Sequence, residues 1–169
     1  MPLEILTIPC LTDNYAYIAH DGDTGETLVV DVPEAAPVMT ALAQRGWTLS
    51  HVFLTHHHAD HVDGLDRLLK THPAKVIGAA ADAHRLAALD LAVREGDYIS
   101  IGSYRGEIMD VSGHTLGHIA LHFPEAKAAF TADSLMALGC GRLFEGSPQL
   151  MFESLTKLAA LPAQTWIYS

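Results

Sequence analysis

The chain has 169 residues, of which 49% are apolar and 18% are charged, enough for one folded domain with a sizeable core. The formal net charge of −10 argues against nucleic acid as a partner, because phosphate binding needs a basic surface. No apolar run approaches the roughly 20 residues that span a bilayer. The N-terminus does not resemble a signal peptide, and two cysteines give no disulfide framework. We therefore expect a cytoplasmic monomer that binds neither nucleic acid nor membrane.

Short apolar or alternating runs predict ten β-strands, and longer segments with helical spacing predict four helices. The predicted strands cover residues 3–8, 15–20, 27–32, 49–55, 75–79, 97–101, 104–111, 119–124, 128–131 and 165–168. The predicted helices cover residues 33–45, 62–71, 80–89 and 148–161. Two series of strands, each accompanied by helices, favour two sheets packed face to face with helices outside. The expected fold class is therefore α/β, as a four-layer αββα sandwich.

The most informative segment follows the fourth predicted strand and reads Thr-His-His-His-Ala-Asp-His at positions 55–61. In an extended backbone His56 and His58 point to the same side, so the two imidazoles could bind one metal ion. Asp60 and His61 lie where the chain turns into the next helix, and they could bind a second ion. Two neighbouring metal ions are a hydrolytic arrangement. A chance histidine-rich tract is the alternative, but the flanking strand and helix argue against it.

Two later segments place further ligand types directly after apolar strands. The first reads Gly-His-Thr at 113–115, where the glycine permits a tight turn that would aim His114 at the sheet edge. The second places Asp133 after a strand, and its two oxygens could bridge two metal ions. Each has a structural alternative, a plain turn for His114 and a turn cap for Asp133. We expect His57 to support a neighbouring ligand or to pack, and His118 to orient a neighbouring ligand through its ring N–H. Neither is expected to bind metal.

The types of ligand do not determine which metal ions bind. Imidazole and carboxylate groups accept zinc, iron and manganese alike. We expect two divalent metal ions as cofactors, zinc first, with iron or manganese as alternatives. Because the chain as a whole is acidic, an acidic substrate would have to bind through the metal ions and a local basic group.

Together these motifs resemble the metallo-β-lactamase superfamily, and within it the chain closely resembles glyoxalase II, the hydroxyacylglutathione hydrolases. The superfamily pattern Thr-His-X-His-X-Asp-His matches residues 55–61, Gly-His-Thr matches 113–115, and the bridging aspartate matches Asp133. The stretch 138–146 and the early Asn14-Tyr15 pair are similar to glyoxalase II in particular. The resemblance covers essentially the whole chain and implies one metallo-β-lactamase-like catalytic domain over residues 1–169.

The resemblance also implies roles for individual residues. The implied metal ligands form two groups and a bridge: His56, His58 and His114 for one ion, Asp60 and His61 for the other, and Asp133 between them. Asp60 and Asp133 would also position a hydroxide shared by the two ions. Arg142 and Phe144 fall where the family contacts the glutathione part of the substrate, and Phe144 replaces a tyrosine that some members carry.

The implied activity is hydrolysis of S-(2-hydroxyacyl)glutathione, such as S-D-lactoylglutathione, to glutathione and a 2-hydroxy acid. Two divalent cations would make hydroxide available near neutral pH to attack the thioester carbonyl. The leaving thiolate needs no strong acid, because the pKa of its conjugate acid is about 8.5. The implied partner is therefore a small-molecule glutathione thioester, as in methylglyoxal detoxification.

The chain departs from the family pattern near its last residues. The family supplies a further histidine to the second metal ion from a Gly-His-Glu motif, just after the strand that corresponds to residues 165–169. It also adds a C-terminal helical domain that contacts glutathione. On this basis we expect that the natural protein continues past Ser169.

Three alternative functions stay open from the sequence. A mono-iron persulfide dioxygenase of the same superfamily shares the histidine-rich run and a Cys-Gly-Arg stretch, but residues 143–146 favour the hydrolase. A β-lactamase is disfavoured, because the chain shows neither a signal peptide nor a cysteine ligand. A degenerate, non-enzymatic metal-binding domain would account for the absent histidine ligand.

Overall fold

The apolar segments form two β-sheets flanked by helices in the computed structural model, which describes residues 2–169. The strands are β1 (Glu4–Cys10), β2 (Asn14–His20), β3 (Thr27–Val30), β4 (His51–Leu54), β5 (Lys75–Ala79), β6 (Leu91–Val93), β7 (Tyr98–Ile101), β8 (Tyr104–Asp110), β9 (Ile119–Phe123), β10 (Ala128–Phe130) and β11 (Trp166–Tyr168). The helices are α1 (Ala35–Arg45), α2 (Ala59–Val62), α3 (Leu65–Thr71) and α4 (Pro148–Ala159).

The first sheet has the strand order β1-β2-β3-β4-β5-β6. Strands β1 to β3 pair antiparallel, and β3 to β6 pair parallel. Parallel neighbours need crossover connections: the first contains α1, the second α2 with α3, and the third, from β5 to β6, a 3₁₀ turn over Ala80–Asp82. Helix α1 ends at Gly46, whose φ of 67° gives the left-handed cap that favours glycine.

The second sheet has the strand order β11-β10-β9-β8-β7. Strands β7 to β10 pair antiparallel, whereas β11 adds parallel to β10 at the edge. The central strands β9 and β10 are fully buried, whereas β7 alternates between exposed and buried residues. Helix α4 lies on the outer face, where Leu158 packs with Val111 and Ala120.

Three apolar layers show that the architecture is αββα. The central layer joins residues of both sheets, including Phe53 from the first and Phe123 and Phe130 from the second. A second layer packs α1 and α3 against the first sheet through residues such as Leu42 and Leu68. The third layer, under α4, covers the second sheet. The predicted fold class is therefore confirmed.

Two predicted helices differ from the structure, and one strand was missed. The helix expected over 62–71 begins only with α3, after the separate short helix α2 and Gly64, where a Cβ would lie 2.6 Å from the backbone nitrogen of Ala35. The helix expected over 80–89 is wrong, because a 3₁₀ turn of three residues is followed by irregular turns. Strand β6 was not predicted, since three residues at a sheet edge show no alternation. Within residues 2–169, no helix is long and apolar enough to cross a bilayer.

Candidate metal centre

Strands β3, β4, β8 and β10 deliver the polar residues of the candidate centre to one edge of the sandwich. Asp31 directly follows β3, and His56 and His58 follow β4. The loop after β8 carries His114, and the turn after β10 carries Asp133. The fold thus brings together segments that are up to 102 positions apart in the sequence, from 31 to 133.

The three histidines predicted for the first ion form a close cluster. Ring nitrogens of His56, His58 and His114 lie within 4.8 Å of one another. Nδ1 of His58 is 3.0 Å from Nε2 of His114. His56 and His114 are buried, and His58 is half-buried. Such a cluster fits one cation, because zinc binds imidazole nitrogen at about 2.0–2.1 Å.

The hydrogen-bond partners of His56 determine which of its nitrogens is free. Thr55 Oγ1 donates to Asp31 Oδ2 at 2.7 Å and therefore accepts from His56 Nδ1 at 3.0 Å. The lone pair of the neutral ring then lies on Nε2, in the tautomer that binds metal. Burial lowers the pKa of His56, and neighbouring histidines add to the effect, so the ring stays neutral.

His114 and His61 are oriented in the same way. Nδ1 of His114 donates to the backbone oxygen of Arg142 at 2.6 Å, since a carbonyl can only accept. Nδ1 of His61 donates to Asp31 Oδ2 at 2.8 Å. Both rings then present Nε2 to the centre, and partners of this kind fix ligand orientation in metal sites.

Asp133 lies between the two groups of predicted ligands. Its Oδ2 is 3.2 Å from Nε2 of His114, and its Oδ1 is 3.3 Å from Nε2 of His61. On the far side, Oδ2 of Asp60 is 3.9 Å from Nε2 of His61. Asn14 Nδ2 donates to the same Asp60 oxygen at 3.0 Å. One carboxylate with an oxygen toward each group is the arrangement that a bridging ligand requires.

The charge inside the centre depends on His61 and Asp133. Burial by itself would lower the pKa of His61, but the carboxylates of Asp133 and Asp31 outweigh it and raise that pKa to about 10. Burial would raise the pKa of Asp133, yet the nearby His61 lowers it. In the absence of a cation, the two groups therefore form an ion pair. A bound cation would take the place of the His61 proton, because a ligand nitrogen must be deprotonated.

Two buried nitrogens show whether these residues fit metal ions. Across residues 2–169, neither Nε2 of His56 nor Nε2 of His61 has a partner with hydrogen-bond geometry. The Asp133 oxygen 3.3 Å from Nε2 of His61 is an ion-pair partner only. Leaving a buried polar atom unpaired costs about 1–3 kcal/mol. One cation at each of the two groups would satisfy both atoms. The six predicted ligands therefore fit two ions, and their assignment as ligands stays a prediction.

The predicted substrate-binding residues lie at the mouth of the centre. The Phe144 ring stands edge-on to His58 and to His114, with ring centroids 5.3 Å apart in each pair, and it is 59% exposed. Arg142 is exposed, with its guanidinium carbon 5.2 Å from the centroid of the Phe144 ring. Both side chains are accessible to a ligand, and their contact with substrate stays a prediction.

Sequence reasoning missed the orienting role of three residues, namely Asp31, Thr55 and Asn14. Asp31 was assigned to a strand, but β3 ends before it and its φ of 56° is left-handed. A buried strand that ends in an aspartate was the available signal. Asn14 was noted for its likeness to a family pattern, and the structure now shows that it contacts Asp60.

The expectations for His118 and His57, the two histidines not assigned as ligands near the centre, have different outcomes. His118 was expected to hydrogen-bond a neighbour, and this is wrong: among the described residues neither of its nitrogens has a partner. Its ring stacks on His56 instead, with centroids 4.6 Å apart and planes 15° apart. His57 packs beside His58, with ring centroids 4.9 Å apart, and its Nδ1 lies 3.2 Å from Asp82 Oδ2.

A substitution at Gly141 tests how tightly the residues of the centre are packed. A Cβ here would lie 2.5 Å from the backbone oxygen of Asp133 and 2.7 Å from Nδ1 of His114. We expect Gly141→Ala to displace these residues and to lower metal affinity by about 10- to 100-fold, the range for groups that orient ligands. Gly139→Ala is the matched control, since a Cβ there meets nothing within 4 Å. Competition with a chelator measures both variants, and equal affinities would contradict the packing.

Two helix-covered sheets with a His/Asp cluster at their strand ends define a class of protein. The family model of the metallo-β-lactamase superfamily matches residues 12–169, and the chain belongs to this superfamily. The resemblance inferred from the sequence motifs is thereby confirmed.

Within the superfamily, the chain is similar in sequence to curated hydroxyacylglutathione hydrolases. The chain is 62% identical to the hydroxyacylglutathione hydrolase of Roseobacter denitrificans over 169 residues, which are all of this chain and 66% of the relative. It is 63% identical to the hydroxyacylglutathione hydrolase of Ruegeria pomeroyi, with the same coverage. The chain thus spans about two thirds of the length of these relatives.

Solved structures show the same fold. The structure of ETHE1 from Myxococcus xanthus is 30% identical with a TM-score of 0.86, and the match covers 99% of this chain and 74% of that chain. The BLEG-1 B3 metallo-β-lactamase is 21% identical with a TM-score of 0.89, over 97% of this chain and 90% of that chain. At 21% identity, the second likeness shows the shared fold alone.

Proposed function

We propose that this chain is the catalytic domain of a metal-dependent thioester hydrolase that cleaves S-(2-hydroxyacyl)glutathione to glutathione and a 2-hydroxy acid. The observation that carries the proposal is the position of the Asp133 carboxylate. One of its oxygens lies 3.2 Å from Nε2 of His114 and the other lies 3.3 Å from Nε2 of His61. The sequence identities of 62% and 63% to two hydroxyacylglutathione hydrolases support this choice of substrate.

The proposed centre holds two divalent ions. The assigned ligands are His56, His58 and His114 for the first ion, Asp60 and His61 for the second, and Asp133 for both. Zinc, iron and manganese all suit this donor set. Such ions supply a water whose pKa is lowered from about 15.7 toward 7, and they polarise a carbonyl oxygen.

The protein's own residues keep the ligands ready for this chemistry. Asp31 holds His61 directly and His56 through Thr55. The backbone oxygen of Arg142 holds His114. Each of these partners accepts the Nδ1 proton, so Nε2 faces the centre without a rearrangement on binding. The ligand nitrogens are therefore already oriented toward the centre, so metal ions can bind at neutral pH.

Arg142 and Phe144 suit the substrate for different reasons. Glutathione carries carboxylates, and a guanidinium is well matched to a carboxylate. The chain has ten Lys and Arg residues against twenty Asp and Glu residues, so a local cation at the site mouth matters for an acidic substrate. The Phe144 ring covers one side of His58 and His114 and limits water there. The thiolate then leaves without a proton donor, because the pKa of its conjugate acid is about 8.5.

The alternative is a mono-iron persulfide dioxygenase of the same superfamily. The observation that favours it is the Cys-Gly-Arg stretch at positions 140–142. A single ion would need no carboxylate between two histidine groups, and the chain is 62% and 63% identical to two hydroxyacylglutathione hydrolases. We therefore favour the hydrolase.

Thiol release and oxygen uptake distinguish the two activities. We expect the metal-loaded protein to release glutathione from S-D-lactoylglutathione and to consume no oxygen with glutathione persulfide. Oxygen consumption without thiol release would overturn the proposal in favour of the dioxygenase. Failure of both reactions would favour a metal-binding domain without activity.

Arg142→Ala should mainly weaken substrate binding. Loss of a charged hydrogen bond is expected to raise KM for the thioester by about 10-fold or more, with a smaller effect on kcat. Arg67→Ala is the control, because Arg67 is exposed on α3, away from the centre. Initial rates over a range of thioester concentration measure both variants, and an unchanged KM would remove Arg142 from the substrate site.

A further inference from the structure

A second polar cluster lies beside the metal centre and contains none of the proposed ligands. It consists of His57, Asp82, Arg85 and Glu145, which we call the Arg85 network. The Arg85 guanidinium donates to both oxygens of Glu145, at 2.5 and 2.8 Å, and its Nε donates to Asp82 Oδ1 at 2.9 Å. His57 lies beside both carboxylates, 3.2 Å from Asp82 and 3.7 Å from Glu145.

The Arg85 network is built from three segments that are distant in the sequence. Asp82 is 1% exposed and belongs to the turn after β5. It presses against the loop that carries His114, since a Cβ on Gly117 would lie 2.4 Å from the Asp82 carboxyl carbon. Glu145 lies in the irregular segment before α4, and His57 lies between two proposed ligands.

Glu145 also attaches its own segment to the ligand loop. The backbone N–H of Leu116 donates to Glu145 Oε2 at 2.7 Å. Beside it, the N–H of Phe144 donates to the backbone oxygen of His114 at 3.2 Å, and the N–H of Gly146 to that of Gly113 at 3.1 Å. Residues 142–146 lie in no helix or strand. Their position therefore depends on these few bonds, on the bond from His114 Nδ1 to the Arg142 backbone oxygen at 2.6 Å and on Arg85.

The ion pair is stronger than a typical surface pair. The side chains of Arg85 and Glu145 are 29% and 25% exposed, and the contact is bidentate, which adds both strength and direction. The hydrogen bond from Arg85 is the main cause that lowers the pKa of Glu145 to about 2. Glu145 is therefore ionised throughout the physiological range.

We propose that the Arg85–Glu145 pair is a positioning element that holds residues 142–146 against the ligand loop and thereby places Phe144 and Arg142 over the metal centre. Arg85 touches neither a proposed ligand nor the site mouth, so it acts through Glu145. The pair then controls how well a glutathione thioester binds, while the bond from His114 Nδ1 to the Arg142 backbone oxygen keeps this ligand, and with it the metal ions, in place. The kinetic part of this inference rests on the proposed function.

Arg85→Met tests the pair, because methionine keeps part of the apolar stem and removes every donor. We expect KM for S-D-lactoylglutathione to rise by about 10-fold, with kcat and metal content nearly unchanged. Arg85→Lys should lie between wild type and Arg85→Met, because lysine keeps the charge but loses the planar fork. Arg45→Met is the matched control, since Arg45 forms an exposed pair with Glu4 and should leave KM unchanged.

A second readout is independent of hydrolysis. Amide hydrogen exchange in the metal-loaded protein should be faster at Leu116, Phe144 and Gly146 in Arg85→Met than in Arg45→Met. Glu145→Gln combined with Arg85→Met should add little to either single change, because both substitutions remove one shared interaction.

The outcomes separate this inference from the proposed function. If the wild-type protein releases no thiol, the proposed function fails, and the dissociation constant of the thioether S-methylglutathione replaces KM. Faster exchange together with a raised KM or dissociation constant supports the positioning role. Exchange and affinity that are both unchanged in Arg85→Met would overturn it. A loss of metal with unchanged KM would also overturn it, because the pair would then act on the metal ions.

Discussion

Replacement of His58 by alanine is expected to abolish metal-dependent thioester hydrolysis. His58 is one of three histidines whose nitrogens lie within 4.8 Å of one another, so its removal leaves the first ion with two imidazoles. Groups that only orient ligands cost about 10- to 100-fold in metal affinity or activity when lost, and a ligand should cost more than this range. Thiol release from S-D-lactoylglutathione and metal content per chain are the two measurements.

His84→Ala is the matched control for this experiment. His84 is exposed in the turns after β5, and its loss should leave both quantities unchanged. Full activity in His58→Ala would contradict the assignment of the first ion. A loss of activity with full metal content would place His58 at the substrate and not at the metal.

Replacement of Asp31 by asparagine should weaken metal binding although Asp31 is not a proposed ligand. Its carboxylate accepts from His61 Nδ1 at 2.8 Å, from the Thr55 N–H at 2.8 Å and from the Thr55 hydroxyl at 2.7 Å. Asparagine tolerates the left-handed backbone, but its NH₂ group cannot accept a hydrogen bond from His61 or Thr55. We expect a loss of about 10- to 100-fold in metal affinity, measured by competition with a chelator.

Asp21→Asn is the control that separates orientation from stability. Asp21 is equally buried and accepts hydrogen bonds from Ser103, Asp23 and Thr24, in a turn that contains no proposed ligand. Its replacement should cost about 1–3 kcal/mol, or about 2–12 °C in Tm, with unchanged metal affinity. Equal metal affinity in the Asp31 and Asp21 variants would show that Asp31 contributes stability alone.

The sequence predicted the sandwich well, because its signals were local. Alternating strands and the helix before Gly46 follow from short-range patterns, and all ten predicted strands occur, nine of them with shifted ends. The helix expected over 80–89 failed because tertiary contacts outweighed propensity. Asp82 and Arg85 are bonded to His57 and Glu145, and a regular helix was not formed there.

The candidate ligands were predictable for a different reason. Four imidazoles and a carboxylate fall within positions 55–61, and such a run has few uses outside metal binding. The residues that orient the ligands were not predictable from one sequence. Asp31 acts through Thr55 on a histidine 25 positions away, from 31 to 56, and only the fold brings these residues together. The same holds for the Arg85 network.

A titration of activity with metal tests the central claim most directly. The protein is stripped with a chelator, and zinc, iron or manganese is returned in steps while thiol release from S-D-lactoylglutathione is measured. A two-ion thioester hydrolase predicts no release from the stripped protein and a rate that rises until two equivalents are bound. Full release from the stripped protein, or no release at any metal loading, would contradict the account.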